Sequence, residues 1–146
     1  MREPIIAAAL LNLVMLTMAL AAFAVPVMAP AISTELGVDA SLLTAYTAIM
    51  WTASMATSIG AGNLIARFGA IRVSQLCLVL CAIGMAVTAL GVLPAIAIAA
   101  VLIGLGHGAE TPASSVVLAR VTPIRHHPFI FSLKQTGVQI GGIASG

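Results

Sequence analysis

The sequence predicts an all-α transmembrane helical bundle, and three observations carry that reading. Hydrophobic residues make up 61% of the chain, charged residues only 7%, and mean hydropathy is +1.17. Soluble domains are nearer half apolar and a quarter charged. The apolar residues also fall in runs of about 20, the length that crosses a hydrocarbon core roughly 30 Å thick. Finally, only short breaks with turn chemistry separate the runs. There is no soluble domain, low-complexity tail or flexible linker. A net charge of +2 and 4% aromatics give no reason to expect nucleic acid as a partner.

The first run, residues 5–29, is too long for a signal-peptide core of about 7–15 residues and is read as a retained helix. Pro26 and Pro30 near its outer end are expected to break or kink it. After "ELGVDAS" (35–41), with Ser41 as the expected N-cap, a second helix covers 42–64. The hydroxyls of Thr44, Thr47, Thr52, Ser54, Thr57 and Ser58 there are expected to bond back to their own helix. "ARFGAIR" (66–72) is a tight basic turn before a third helix, 71–91. Cys77 and Cys81 lie one helical turn apart in it and read as two small buried hydrophobes. "GVLP" (91–94) is a Gly/Pro break before a fourth helix, 95–119. "RVTPIRHHP" (120–128) is basic and proline-punctuated. A fifth helix runs from Phe129 to Gly146 and ends without a flanking charge or aromatic anchor. A helix ending there leaves carbonyls in hydrocarbon, so the chain is expected to be an N-terminal fragment of a longer one.

The six basic residues fall on alternate connections: Arg2, then Arg67 and Arg72, then Arg120, Arg125 and Lys134. The other side carries Glu35 and Asp39. The positive-inside rule therefore places the N-terminus in the cytoplasm.

"IGLGHGAETPASS" (103–115) raises the functional question, because it puts Glu110 in an apolar run. At 100° per residue, His107, Glu110, Thr111 and Ser114 share one arc of about 100°. That polar stripe is expected to face protein or water. Gly104 and Gly108 beside it permit close helix approach, and so do Gly137, Gly141 and Ser145 on the fifth helix. On the first helix Asn12 shares a face with Ala19 and Phe23. On the fifth, Lys134, Gln135 and Gln139 fall within about 140°. Glu110 lies about 15 Å from Arg120, near the midplane, and Lys134 about 9 Å deep. The lysine stem spans that difference, so the two are expected to be able to pair. Two readings stand: a structural ion pair locking two helices, or a site in which Glu110 handles a proton and Lys134 meets an anionic solute. His107 is a helix-packing residue or a proton-handling one; His126 and His127 are solvated. No metal-ligand cluster, nucleophile beside a base or paired carboxylates occur, so neither an enzyme nor a cofactor is expected.

"GNLIARFGAIRV" (62–73) resembles the signature between helices two and three of the major facilitator superfamily. Gly62, Leu64, Arg67, Phe68, Gly69, Arg72 and Val73 match it. Ala66 replaces the family's aspartate and Ile71 one of its basic residues. "VPVMAPAISTELGVDASL", "LIGLGHGAETPASSVVLARVTP" and "FSLKQTGVQIGG" resemble the family's first outer loop, fourth helix and fifth helix. Ala100 stands where the family often has an arginine. The resemblance implies a twelve-helix secondary transporter in a bacterial inner membrane, of which this chain is the first two-fifths. Its remaining helices, the bilayer and a small solute are the implied partners. It places Asn12, His107, Glu110, Lys134 and Gln135 near the solute path. It also makes Gly62, Arg67, Gly69 and Arg72 a cytoplasmic gating loop, with Glu110 as the proton-coupling candidate. The other class of function considered is a small four- or five-helix membrane structural or interaction protein.

Overall fold

The computed structural model describes residues 2–37 and 39–144. The chain is all-α: α1 (Arg2–Leu36), α2 (Ala40–Phe68), α3 (Ala70–Thr88), α4 (Leu93–Val121) and α5 (His127–Ala144), with a short 3-10 turn at Ile124–His126. Ser145 and Gly146, at the end of the expected fifth helix, lie outside the described residues.

Each boundary has a local cause, and several differ from expectation. Pro26 and Pro30 do not break α1, which continues through both to Leu36. Membrane helices tolerate proline where hydroxyls and neighbours satisfy the backbone. The prolines leave the Ala22 and Pro26 carbonyls without helical donors; one turn further on, Ser33 and Thr34 add hydroxyl bonds to the Pro30 carbonyl at 2.8 and 3.3 Å. Asp39, not Ser41, caps α2. Its backbone is extended, and its carboxylate accepts the Ser41 N–H at 2.8 Å. A capping side chain must stand before the first helical turn to reach back to those free donors, and Ser41 is already inside it. That hydrogen bond holds the Asp39 carboxyl below its ordinary 3.8.

The basic turn is shorter than its sequence suggests. Gly69 alone joins α2 to α3, at a φ of 84° that favours glycine. Its N–H closes α2 on the Ile65 carbonyl at 2.9 Å. Arg67 thus stands in the last turn of one helix and Arg72 in the first turn of the next. A second left-handed glycine, Gly91, separates α3 from α4. Pro94 then sits in the first turn of α4, where a missing N–H costs nothing.

Among the described residues, three helices are long and apolar enough to cross a membrane: Ile5–Glu35, Ala70–Thr88 and Leu93–Val121. The hydroxyls of α2, and Lys134 with two glutamines on α5, make those helices less apolar. Of the three apolar stretches α4 is the most enclosed, 56% buried against 39% and 33% for α1 and α3. It packs on α2 and α3, α1 packs on α5, and α1 bridges the two groups.

Small residues set these approaches. Gly104 and Gly108 of α4 lie against the Met50 and Ser54 carbonyls of α2. Gly137 and Gly141 of α5 lie against the Asn12 and Leu16 carbonyls of α1. Both pairs are spaced by four, the close-packing pattern of membrane helices. The core centres on Met18, Tyr46, Met50, Cys77, Cys81 and Ile103. Both cysteines are buried and free, and Cys81 Sγ contacts Met18 Sδ at 3.1 Å.

A second, smaller cluster joins Ala8 and Leu11 to Leu118 and Ile130. It brings the start of α1, the end of α4 and the start of α5 to one end of the bundle. The α2–α3 joint meets the end of α4 there as well, since Gly69, Arg72 and Arg120 line one cleft. Arg67, Arg72, Arg120 and Arg125 therefore cluster at a basic end, with Glu35 and Asp39 at the other. Ile6, Leu13, Ile59, Val79 and Ile98 point outward, the apolar exterior a bilayer requires.

Candidate functional site

The polar stripe of α4 forms, and packing divides it into two lines. His107, Thr111 and Ser115 succeed one another every four residues on the accessible face. Glu110 and Ser114 lie on the adjoining face, both 0% exposed. Ser114 bonds back to the Glu110 carbonyl at 2.7 Å, so its hydroxyl is spent within its own helix. His107 packs edge-on against Trp51 of α2, with ring centroids 5.5 Å apart and planes at 86°. Its Nδ1 is buried without a partner.

Glu110 turns toward α3. Neither carboxylate oxygen has a hydrogen-bond partner, and neither does the Ser74 hydroxyl that faces the carboxyl from α3. Cys77 and Cys81 stand on the same buried face of α3, three and seven residues beyond Ser74.

The expected Glu110–Lys134 contact does not form. Lys134 is enclosed, 2% exposed, but its Nζ donates to the Thr111 carbonyl at 3.1 Å and to Ser115 Oγ at 3.0 Å. The physical reason is one of direction. The lysine enters α4 on the 111–115 line, whereas Glu110 is about 100° round the helix from Thr111. The two are not locked together.

Asn12 forms the other polar junction. Its Nδ2 donates to the Leu133 carbonyl at 2.6 Å and to Thr136 Oγ1 at 3.0 Å. The Thr136 hydroxyl also donates to the Leu133 carbonyl at 2.6 Å. Asn12 and Lys134 thus meet around one turn of α5, between α1 and α4. Gln135 is exposed elsewhere on α5, and the fold does not bring it to that junction. Gly62, Arg67 and Arg72 are exposed around Gly69 at the basic end, with Arg72 two residues before the Ser74 that faces Glu110.

Sequence reasoning missed Ser74, Trp51, Ser115 and Thr136. Ser74 had a usable signal: with Cys77 and Cys81 it makes an i, i+3, i+7 face of small polarizable groups. Ser115 had one too, as the next member of the 107–111 line. Trp51 and Thr136 had none, because only the tertiary contact reveals their partners.

The polar geometry is that of a helical membrane bundle with charges held inside it, and a family comparison gives this a wider frame. Residues 10–146 match the family model described as Major Facilitator Superfamily. The chain belongs to the major facilitator superfamily. Family members are membrane transporters rather than enzymes, so the chain is an integral membrane protein of a transporter family. No curated protein and no solved structure matches it.

Proposed function

We infer that this chain forms part of a secondary active transporter that moves a small polar or anionic solute across the cytoplasmic membrane, coupled to protons, with its N-terminus in the cytoplasm. The carrying observation is that Glu110 and Lys134 are both enclosed in the bundle without being bonded to each other. Enclosed charges are costly, and the cheapest structural use of this pair would be to join them. Holding them apart leaves each free to answer to something else.

Lys134 offers an ammonium whose bonded partners are an uncharged carbonyl and a hydroxyl. An anionic group arriving beside it supplies the missing counter-charge. Asn12, His107 and Thr111 line the approach with neutral polar groups, and Gln135 is the outermost candidate. Glu110 sits about 15 Å from Arg120, at the depth where alternating access places its sites. Proton uptake or release there changes the charge of the interior by one unit, on the same helix that carries the lysine's hydrogen-bond partners. That links proton and solute through α4. The grouping of basic residues at one end supports the orientation.

The test is proton flux into proteoliposomes carrying a pH dye, on adding small carboxylates, phosphate esters or neutral polar solutes. At least one anionic solute should drive proton movement. Glu110→Gln should abolish the proton signal while solute exchange persists, and Lys134→Gln should abolish both. Proton movement unchanged in Glu110→Gln, or anion exchange unchanged in Lys134→Gln, refutes the assignment of that residue.

A further inference from the structure

We propose that the basic end of the bundle binds one anionic phospholipid, with its phosphate between Arg72 and Arg120 and an acyl chain in the groove between α2 and α3. Two adjoining surfaces carry this. The first is a cleft of about 310 Å³ where the α2–α3 joint meets the end of α4. Arg72 and Arg120 line it together with Phe68, Ile71, Val117 and Val121. The second is a groove of about 380 Å³ running into the bundle, walled by Leu64, Leu76, Cys77, Leu80 and Leu105. Phe68 and Arg72 line both surfaces, so the groove opens beside the charged cleft.

Charge selects the occupant. The chain's carboxylates are Glu3, Glu35, Asp39 and Glu110. Glu35 and Asp39 lie at the opposite end. Glu110 is about 15 Å along α4 from Arg120; it faces Ser74, near Arg72, but is 0% exposed and turned into the bundle. Glu3 opens α1 at the basic end, and its side chain is outside those described. Among the described residues, no carboxylate lines either surface. Ala66, at the joint itself, leaves the arginines without an acidic neighbour in sequence. Arg72 also stands in the first turn of α3, where the helix dipole repels a cation and favours an anion. The α3 N-terminus has no side-chain cap.

Shape selects a lipid over a free anion. Ile71 and Phe68 are 64% and 56% exposed beside the arginines, which gives the cleft an apolar wall of no use to inorganic phosphate. From Arg72 to Leu80 the groove follows α3 for about 12 Å, a depth suited to an acyl chain rather than a headgroup. A phospholipid with a net negative headgroup satisfies both ends at once. A zwitterionic one brings its own cation to the arginines and gains less.

The experiment reconstitutes the protein in bilayers containing phosphatidylglycerol or phosphatidylcholine that carries a diazirine in one acyl chain, then maps crosslinks by mass spectrometry. Phosphatidylglycerol should label residues 64–80 about 25-fold more than phosphatidylcholine, the combined weight of two arginines at about fivefold each. Arg72→Gln and Arg120→Gln should each lower phosphatidylglycerol labelling about fivefold and leave phosphatidylcholine labelling unchanged. Arg72→Lys should retain most of it, and Arg67→Gln, which lines neither surface, all of it. Excess inorganic phosphate should not displace the lipid. Equal labelling by both lipids, indifference to both arginine variants, or displacement by phosphate overturns the proposal. So does a groove that crosslinks to a protein segment instead of lipid.

Discussion

Replacing Gly108 by alanine tests the closest approach in the bundle. A Cβ built there would overlap the Ser54 carbonyl oxygen and the Thr57 hydroxyl of α2. The first obstacle is backbone and cannot rotate away, so α2 and α4 must part. A gap of about 1 Å forfeits up to half of each dispersion contact along the seam. Overpacking of this sort costs about 1–3 kcal/mol, and a rigid carbonyl places this site in the upper part of that range. Against it stands the helix propensity gained on replacing glycine, about 1 kcal/mol. The net loss is roughly 1–2 kcal/mol. At about 4 °C per kcal/mol for a chain of this size, Tm should fall by about 4–8 °C. Thermal unfolding in detergent, followed by Trp51 fluorescence and by size-exclusion, measures it. Gly60→Ala is the control, because a Cβ there meets nothing within 4 Å; its Tm should hold or rise. A Gly108→Ala protein as stable as wild type, or as Gly60→Ala, would refute the close-packing argument.

Three further outcomes follow from the same geometry. Asn12→Ala removes two hydrogen bonds between α1 and α5, each worth about 0.6 kcal/mol in membrane helices. Tm should drop by about 5 °C, while Asn12→Asp, which cannot donate to the Leu133 carbonyl, should do no better. Asp39 has its carboxyl lowered by the Ser41 N–H, so its cap is intact above the ordinary value of 3.8 and lost as pH falls through the lowered one. Hydrogen exchange at the start of α2 should accelerate only in acid for wild type, and at every pH for Asp39→Ala. Cys77 and Cys81, 2% and 5% exposed, should resist a membrane-permeant maleimide until the bundle unfolds. Rapid labelling of the folded protein would show that the α3–α4 interface opens.

The helices were legible because their signals are local. Run length, Gly69, Gly91 and Pro94 act within a few residues, and so did the four-residue glycine spacings that became the α2–α4 and α1–α5 seams. The Asp39 cap was misread because Ser41 carries the same kind of acceptor two positions on, and only backbone geometry separates a residue before the helix from one inside it. Pro26 and Pro30 do not end α1, because a membrane helix can carry a proline through and local sequence alone does not distinguish that from a break. At the site, the stripe on α4 followed from the helical period alone.

By itself, then, the sequence determined an apolar all-α bundle with one basic end and a short polar stripe on α4, since composition and helical period require no knowledge of neighbours. It also placed Glu110 and Lys134 at compatible depths, because rise per residue is fixed. Only the tertiary structure decided whether they meet. Depth leaves open the direction around the helix axis from which a neighbour arrives, and that is set by which faces pack. Here α3 takes the Glu110 face and α5 the Thr111–Ser115 line, so two opposite charges on adjacent helices stay apart.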